Sequence, residues 1–387
     1  MKKGFRIVLQ LLLALCLLPL IGVSVHAEEA SASGETDCVP SEFSDLLEVL
    51  PEELLELLPD GIFSQNTSDV GEAARQMSDF SYLLSTLLSL IGLNLGSCAK
   101  MLASVCGLLL LSSILRIMRT SIGNERLGAA FSLCSTLAIT LALLRESYLP
   151  LADMMAYFQM LGNLTLAAIP LMGALYAMGG NVSAAVASSG GLAAYMTVLE
   201  QLVGKSILPF CGICMAFALV RALDPSIRLG ALSNTVKKQY STALGFLMML
   251  LLAMLAAQTT LGAKGDSLTM RSVKFAAGNL IPVVGGSVSE LLRTLSAGIG
   301  YLRGTVGICA TLLLLLTLLP TLIELLLLRG VWQLAASFAD LLGCENEKKL
   351  LDEFASLLGY LIAAVSICSS VPLLSLTLLS HCASAIG

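Results

Sequence analysis

Gly304-Thr-Val-Gly-Ile-Cys-Ala-Thr-Leu-Leu-Leu-Leu-Leu-Thr-Leu-Leu-Pro-Thr-Leu-Ile323 contains no charged side chain. A helix needs about 20 such residues to cross the hydrocarbon of a bilayer, so this stretch reads as a membrane span. Charge-free runs recur on the way outward, at 80–99, 101–115, 127–144, 154–199, 206–220, 239–263 and 354–380. Across 387 residues, 56% are hydrophobic and 13% charged, with a mean hydropathy of +0.87. Soluble domains carry about 25% charged residues, so this chain cannot clothe a water-facing surface along its whole length. The expected architecture is all-α: a polytopic transmembrane helical bundle. The balance of 22 Lys and Arg against 27 Asp and Glu, without a polybasic block, gives nucleic-acid binding no electrostatic support.

The N-terminus has the three parts of a cleavable signal peptide. Lys2, Lys3 and Arg6 are basic, residues 7–21 are apolar, and Val25-His-Ala27 precedes an acidic stretch, so cleavage is expected after Ala27. Residues 28–79 then form an acidic extracytoplasmic segment. Within it, Ser41–Leu50 and Glu52–Leu58 carry leucines at three-four spacing opposite acidic faces, and Pro51 and Pro59 bracket the second stretch. Short amphipathic helices of this kind are not stable alone. A membrane surface, the rest of the chain or a partner has to cover the stripe.

Excess Lys and Arg marks cytoplasmic loops. Arg116, Arg119 and Arg126 mark one, and Arg221, Arg228, Lys237 and Lys238 a second. Spans near 98–116, 127–145, 158–178, 182–199 and 206–220 satisfy both loops. Residues 80–96 are then left in the interface or folded back. About seven crossings result, within a range of roughly six to nine. The organisation read from the chain is 1–27 signal peptide, 28–79 exported helices, 80–263 first transmembrane region, 264–304 a broken amphipathic or re-entrant segment, and 305–387 a C-terminal transmembrane region.

The broken segment holds Asn279, Pro282, Gly285 and Gly286 within a short apolar run. Such backbone is tolerated at membrane depth only where protein or water covers it. It reads equally as a discontinuous element of the sort transporters use for binding and as a juxtamembrane loop. Ser296, Gly300 and Gly304 follow at four-residue spacing, which puts them on one helix face suited to close packing. Glu200 and Lys205 interrupt an apolar region, while Lys100 and Glu324 border or enter spans. Each is either an intramembrane functional charge or a span-end charge that snorkels to the headgroups. Asn279, Pro282, Gly285, Gly286, Gly300, Gly304, Glu200 and Lys205 are therefore the candidate assembly or pore residues.

Catalytic, cofactor and metal chemistry has no sequence support. Cys211-Gly-Ile-Cys214 has redox or metal spacing but lies in an apolar run with no second pair, and the two His are His26 and His381. A structural zinc site needs four ligands. No phosphate-binding glycine loop is present, so the chain shows no ATP-hydrolysing part of its own. Of eleven Cys, Cys38 and Cys344 alone have polar surroundings, and nothing in the sequence places them together for a disulfide.

The run Ser272-Val-Lys-Phe-Ala-Ala-Gly-Asn-Leu-Ile-Pro-Val-Val-Gly-Gly286 resembles the most recognisable segment of the stage III sporulation protein AE family of endospore-forming bacteria. The matching positions are Asn279 and Ile281 through Gly286. The signal peptide, the acidic exported helices and the length also match. The resemblance implies a membrane component of a mother-cell-to-forespore channel or secretion-like complex, located in the mother-cell membrane around the forespore. Its implied partners are other stage III A membrane proteins, a separate ATPase subunit and a forespore-side protein. An autonomous small-solute transporter and a non-conducting scaffold are the alternatives.

Overall fold

The computed structural model describes residues 39–50, 55, 58–64, 66–122, 125–178, 182–223, 229–250, 253–254 and 285–384. The expected signal peptide and Cys38 lie outside the described residues, as do Asn279 and Pro282. Every regular element among the described residues is helical. In chain order these are α1 (Ser41–Glu48), a 3-10 turn (Asp60–Phe63), α2 (Thr67–Ser78), α3 (Phe80–Ile122), α4 (Glu125–Met178) and α5 (Val182–Leu199). A π turn (Glu200–Gly204) leads into α6 (Ile207–Leu223), followed by α7 (230–250), α8 (Gly285–Leu341) and α9 (Glu345–Ser384).

The centre is the α8–α9 hairpin. Its turn is built by Gly343, whose φ of 69° lies in the left-handed region that glycine enters without a Cβ penalty. The Gly343 amide donates to the Asp340 carbonyl and the Cys344 amide to the Ala339 carbonyl. That pair of bonds satisfies the last carbonyls of α8 in a Schellman arrangement. The Lys348 amide then donates to the Cys344 carbonyl and opens α9. Cys344 is buried behind the turn, yet its surroundings are polar as expected, with Ser112, Glu347 and Arg116 beside the thiol.

Around the hairpin, α3 lies along α8, α6 along α9, and α4 touches both while packing on α3, α5 and α6. Among the described residues four helical segments are long and apolar enough to cross a membrane: Ser81–Met118, Gly190–Arg221, Thr305–Leu341 and Glu345–Leu374. In the most apolar window of each, 83% of the Thr305–Leu341 segment and 71% of Glu345–Leu374 is buried, against 22% of Ser81–Met118. The hairpin is thus the inside of the bundle and α3 its rim.

Residues 39–78 show what covers the first acidic amphipathic helix, while most of the second, Glu52–Leu58, lies outside the described residues. Phe43 and Leu46 of α1, Ile62 of the 3-10 turn, and Val70 and Met77 of α2 are fully buried, with α1 packed on α4 and α2 on α8. At about 2 kcal/mol per buried side chain, this contact supplies stability that an eight-residue helix lacks alone. Asp45, Glu48, Asp69 and Glu72 stay exposed on the opposite face.

Three expectations change. Residues 80–96 do not fold back: they are the first half of α3, one helix of 43 residues. The spans 127–145 and 158–178 merge into α4, of 54 residues. The charges at Arg145, Glu146 and Asp153 do not end it, because charge alone breaks no backbone hydrogen bond, and the helix also continues through Pro150, which removes one backbone donor. Likewise 182–199 and 206–220 are joined through the π turn, which absorbs an extra residue without ending the helix. Residues 264–284 of the expected broken segment lie outside the described residues, and from Gly285 onward α8 runs without interruption past residue 304.

Candidate functional site

The sequence-predicted residues fall in two places. Gly285 and Gly286 open α8, and Gly300 and Gly304 follow in its first half. Glu200 opens the π turn, and Lys205 stands exposed immediately after it. That pair therefore brackets the one interruption of an otherwise continuous helix. π turns of this kind concentrate at functional positions.

Among the described residues, the densest polar arrangement lies elsewhere, at the end of the bundle where α3, α6 and α7 present Arg116, Arg221 and Lys237. Glu353, on the first turns of α9, accepts from Arg221 of α6 at 2.9 Å with one carboxylate oxygen and from Lys237 of α7 with the other. The Lys237 side chain is 6% exposed, so its charge is out of water and depends on Glu353. One carboxylate thereby ties three helices together. Beside it, the Arg116 guanidinium of α3 donates to the Leu342 and Gly343 carbonyls at the hairpin turn. The Ser112 hydroxyl donates to Glu347 at 2.9 Å. Arg116 of one basic cluster and Arg221 and Lys237 of the other therefore lie at a single end of the bundle, around the start of α9. Sequence reasoning marked Arg116, Arg221 and Lys237 but missed Glu353. The available signal was an acidic residue standing last before the 354–380 apolar run, opposite loops of positive charge.

Deeper in the bundle, Glu324 of α8 lies near enough to Cys98 of α3 to act on it electrostatically. The Arg329 guanidinium presses against Gly359 of α9, 3.0 Å from where a Cβ would stand. Gly359 thus makes room for an arginine inside a candidate span. On the hairpin's other side, the Tyr157 hydroxyl of α4 pairs with Ser369 of α9. Phe210 of α6 stacks on Tyr240 of α7 at 3.9 Å between ring centroids and meets Tyr360 of α9 edge-on.

Cys211 and Cys214 are both buried as free thiols among these apolar side chains. Among the described residues no group of three or more His, Cys, Asp or Glu is gathered as a metal site.

The model of the stage III sporulation protein AE family matches residues 66–383, from α2 to the end of α9. The chain belongs to the stage III sporulation protein AE family. It is similar to the stage III sporulation protein AE of Bacillus subtilis (strain 168), 25% identical over 358 residues that cover 91% of this chain and 87% of that protein. No solved structure matches it. Family and apolar helices together make it a membrane component of the sporulation machinery.

Proposed function

We propose that the chain is an assembly subunit of a channel or secretion-like complex that connects mother cell and forespore, set in the mother-cell membrane around the forespore. Its partners in this reading are other stage III A membrane proteins, a separate ATPase subunit and a forespore-side protein. The observation that carries it is the filling of the bundle's centre. Leu312 through Leu316, Leu318 and Leu319 of α8 are buried against α9, so the middle of one chain is packed hydrocarbon. A conduit then has to form between chains, which favours a shared pore over an autonomous carrier.

The same reading gives six crossings: α3, α4, the joined α5 and α6, α7, α8 and α9, alternating about the basic end. Positive charge at the ends of α3 and α6 and the start of α7 supports a cytoplasmic basic end and an exported α1 and α2. Among the described residues, the π turn with Glu200 and Lys205 is the feature that favours a solute site within one chain. Gly285, Gly286, Gly300 and Gly304 serve as close-packing positions in the first half of α8, with Asn279 and Pro282 just before it in sequence.

An affinity pull-down from detergent-solubilised membranes of sporulating cells tests the assembly reading. Recovery with other stage III A proteins and their ATPase is expected. Recovery alone, under conditions that preserve another membrane complex from the same cells, would refute it.

A further inference from the structure

Helix α3 is too long for the membrane it enters. Its 43 residues span about 65 Å at 1.5 Å per residue, whereas hydrocarbon is about 30 Å thick. With Arg116 at the basic end, about 20 residues of helix reach the opposite headgroups near residue 97, where Lys100 follows on the exposed face. The level of Phe80 is independently aqueous. Helix α2 ends two residues earlier and exposes Glu72, Arg75 and Gln76 beside Asp79.

Between these levels α3 nonetheless presents an apolar face. Leu84, Leu88 and Leu95 are exposed along one stripe of the helix, with Gly92 beside them, because positions four and seven apart share a face. Cβ atoms added at Gly92 and Gly96 would meet nothing within 4 Å, so the helix surface there is open to close approach. Contiguous apolar surface of this kind in water marks an interaction site, and glycines spaced by four suit another helix. The rim above it is acidic: Asp69, Glu72 and Asp79 are exposed around a single Arg75. Two copies meeting through this face would bring like charges together. A partner with basic flanks would not.

We propose that residues 81–97 of α3 form a docking face for an apolar helix of a different protein, flanked by Lys or Arg and held on the exported side. This rests on the orientation given under the proposed function.

The test places the photo-crosslinking residue benzoylphenylalanine at Leu95, and separately at Leu88 in case one position fails to fold. Leu111, exposed in the lipid-embedded half, serves as the control. Irradiation of sporulating cells should give a discrete protein adduct at Leu95 or Leu88 and none at Leu111. The adducted peptide should map to an apolar helix with basic flanks. Glu72→Lys, at an exposed position, should lower the adduct yield roughly threefold to fivefold at unchanged chain level. An adduct of twice the chain's own mass, lipid adducts alone at both positions, or a yield indifferent to Glu72→Lys would overturn the proposal. An adduct to a cytoplasmic segment would overturn the exported placement. If the expected adduct forms while the pull-down recovers no sporulation membrane protein, the assembly reading alone fails. If the pull-down succeeds and neither position gives a protein adduct, the docking face alone fails.

Discussion

Glu353→Gln should be the most destabilising single exchange at the basic end. The carboxylate serves Lys237, whose side chain is 6% exposed, and Arg221, whose side chain is 40% exposed. Removing one partner of a buried ion pair costs about 3–5 kcal/mol, because the remaining charge stays out of water. Half-exposed pairs contribute only about 0–1 kcal/mol. Arg221 can rehydrate, and the glutamine amide still accepts one hydrogen bond, so the expected loss is about 3 kcal/mol, nearly all of it from Lys237. On a scale of about 2–4 °C per kcal/mol for domains of 150–250 residues, the unfolding midpoint in detergent should fall by roughly 6–12 °C. The sole Trp of the chain, Trp332, is fully buried on α8, so its fluorescence reports loss of the central hairpin. The decisive companion is Lys237→Met in the Glu353→Gln background. If the loss comes from a stranded buried cation, the double variant should recover most of it. A Glu353→Gln midpoint within about 2 °C of the parent, or a double variant less stable than Glu353→Gln alone, would refute the reasoning.

Gly343→Ala should lose about 1–2 kcal/mol from the left-handed backbone, and more from the new Cβ standing 2.8 Å from an Arg116 nitrogen; the same thermal scan reads it. Arg116→Lys should not rescue the loss caused by Arg116→Ala, since one ammonium cannot span the Leu342 and Gly343 carbonyls as a planar fork does. Protease cleavage at residues 342–344 should appear in both variants and be absent from the parent. Tyr157→Phe should cost about 1 kcal/mol, the worth of its pairing with Ser369, and a midpoint unchanged within error would remove that bond from the account. Burial, and after it the Glu347 carboxylate, push the Cys344 thiol above its ordinary value. For a group raised in the folded state, the associated stability is present below the unfolded value of about 8.5 and is lost as pH climbs towards the folded one. Alkylation of Cys344, followed by peptide mass spectrometry, should therefore reach half its maximal rate only above about pH 8.5.

The buried stripe of α1 was legible because Phe43 and Leu46 repeat at helical spacing against Asp45 and Glu48, and spacing is what selects the buried face. The basic loops were legible as well, since Arg116, Arg221 and Lys237 do gather at one end of the bundle. Helix length was not. A template of one crossing per 20 residues divided α3 and α4 wherever Lys100 or Arg145 appeared, although a charge fixes depth and says nothing about backbone continuity. Glu353 escaped for a related reason. It belongs to no motif, and only the fold of the hairpin carries it 132 residues along the chain to Arg221. The Schellman turn at Gly343 could have been anticipated from Leu341-Leu-Gly-Cys followed by acidic residues, a helix stop next to a helix start.

Among the described residues, the most buried part of this bundle is made after the helices that surround it. Ser81–Met118 and Gly190–Arg221 are translated before Thr305–Leu341 and Glu345–Leu374, so the surfaces that they press against the hairpin lack that partner until it is made. A nonsense codon before residue 305 would therefore remove the centre of the structure rather than an appendage.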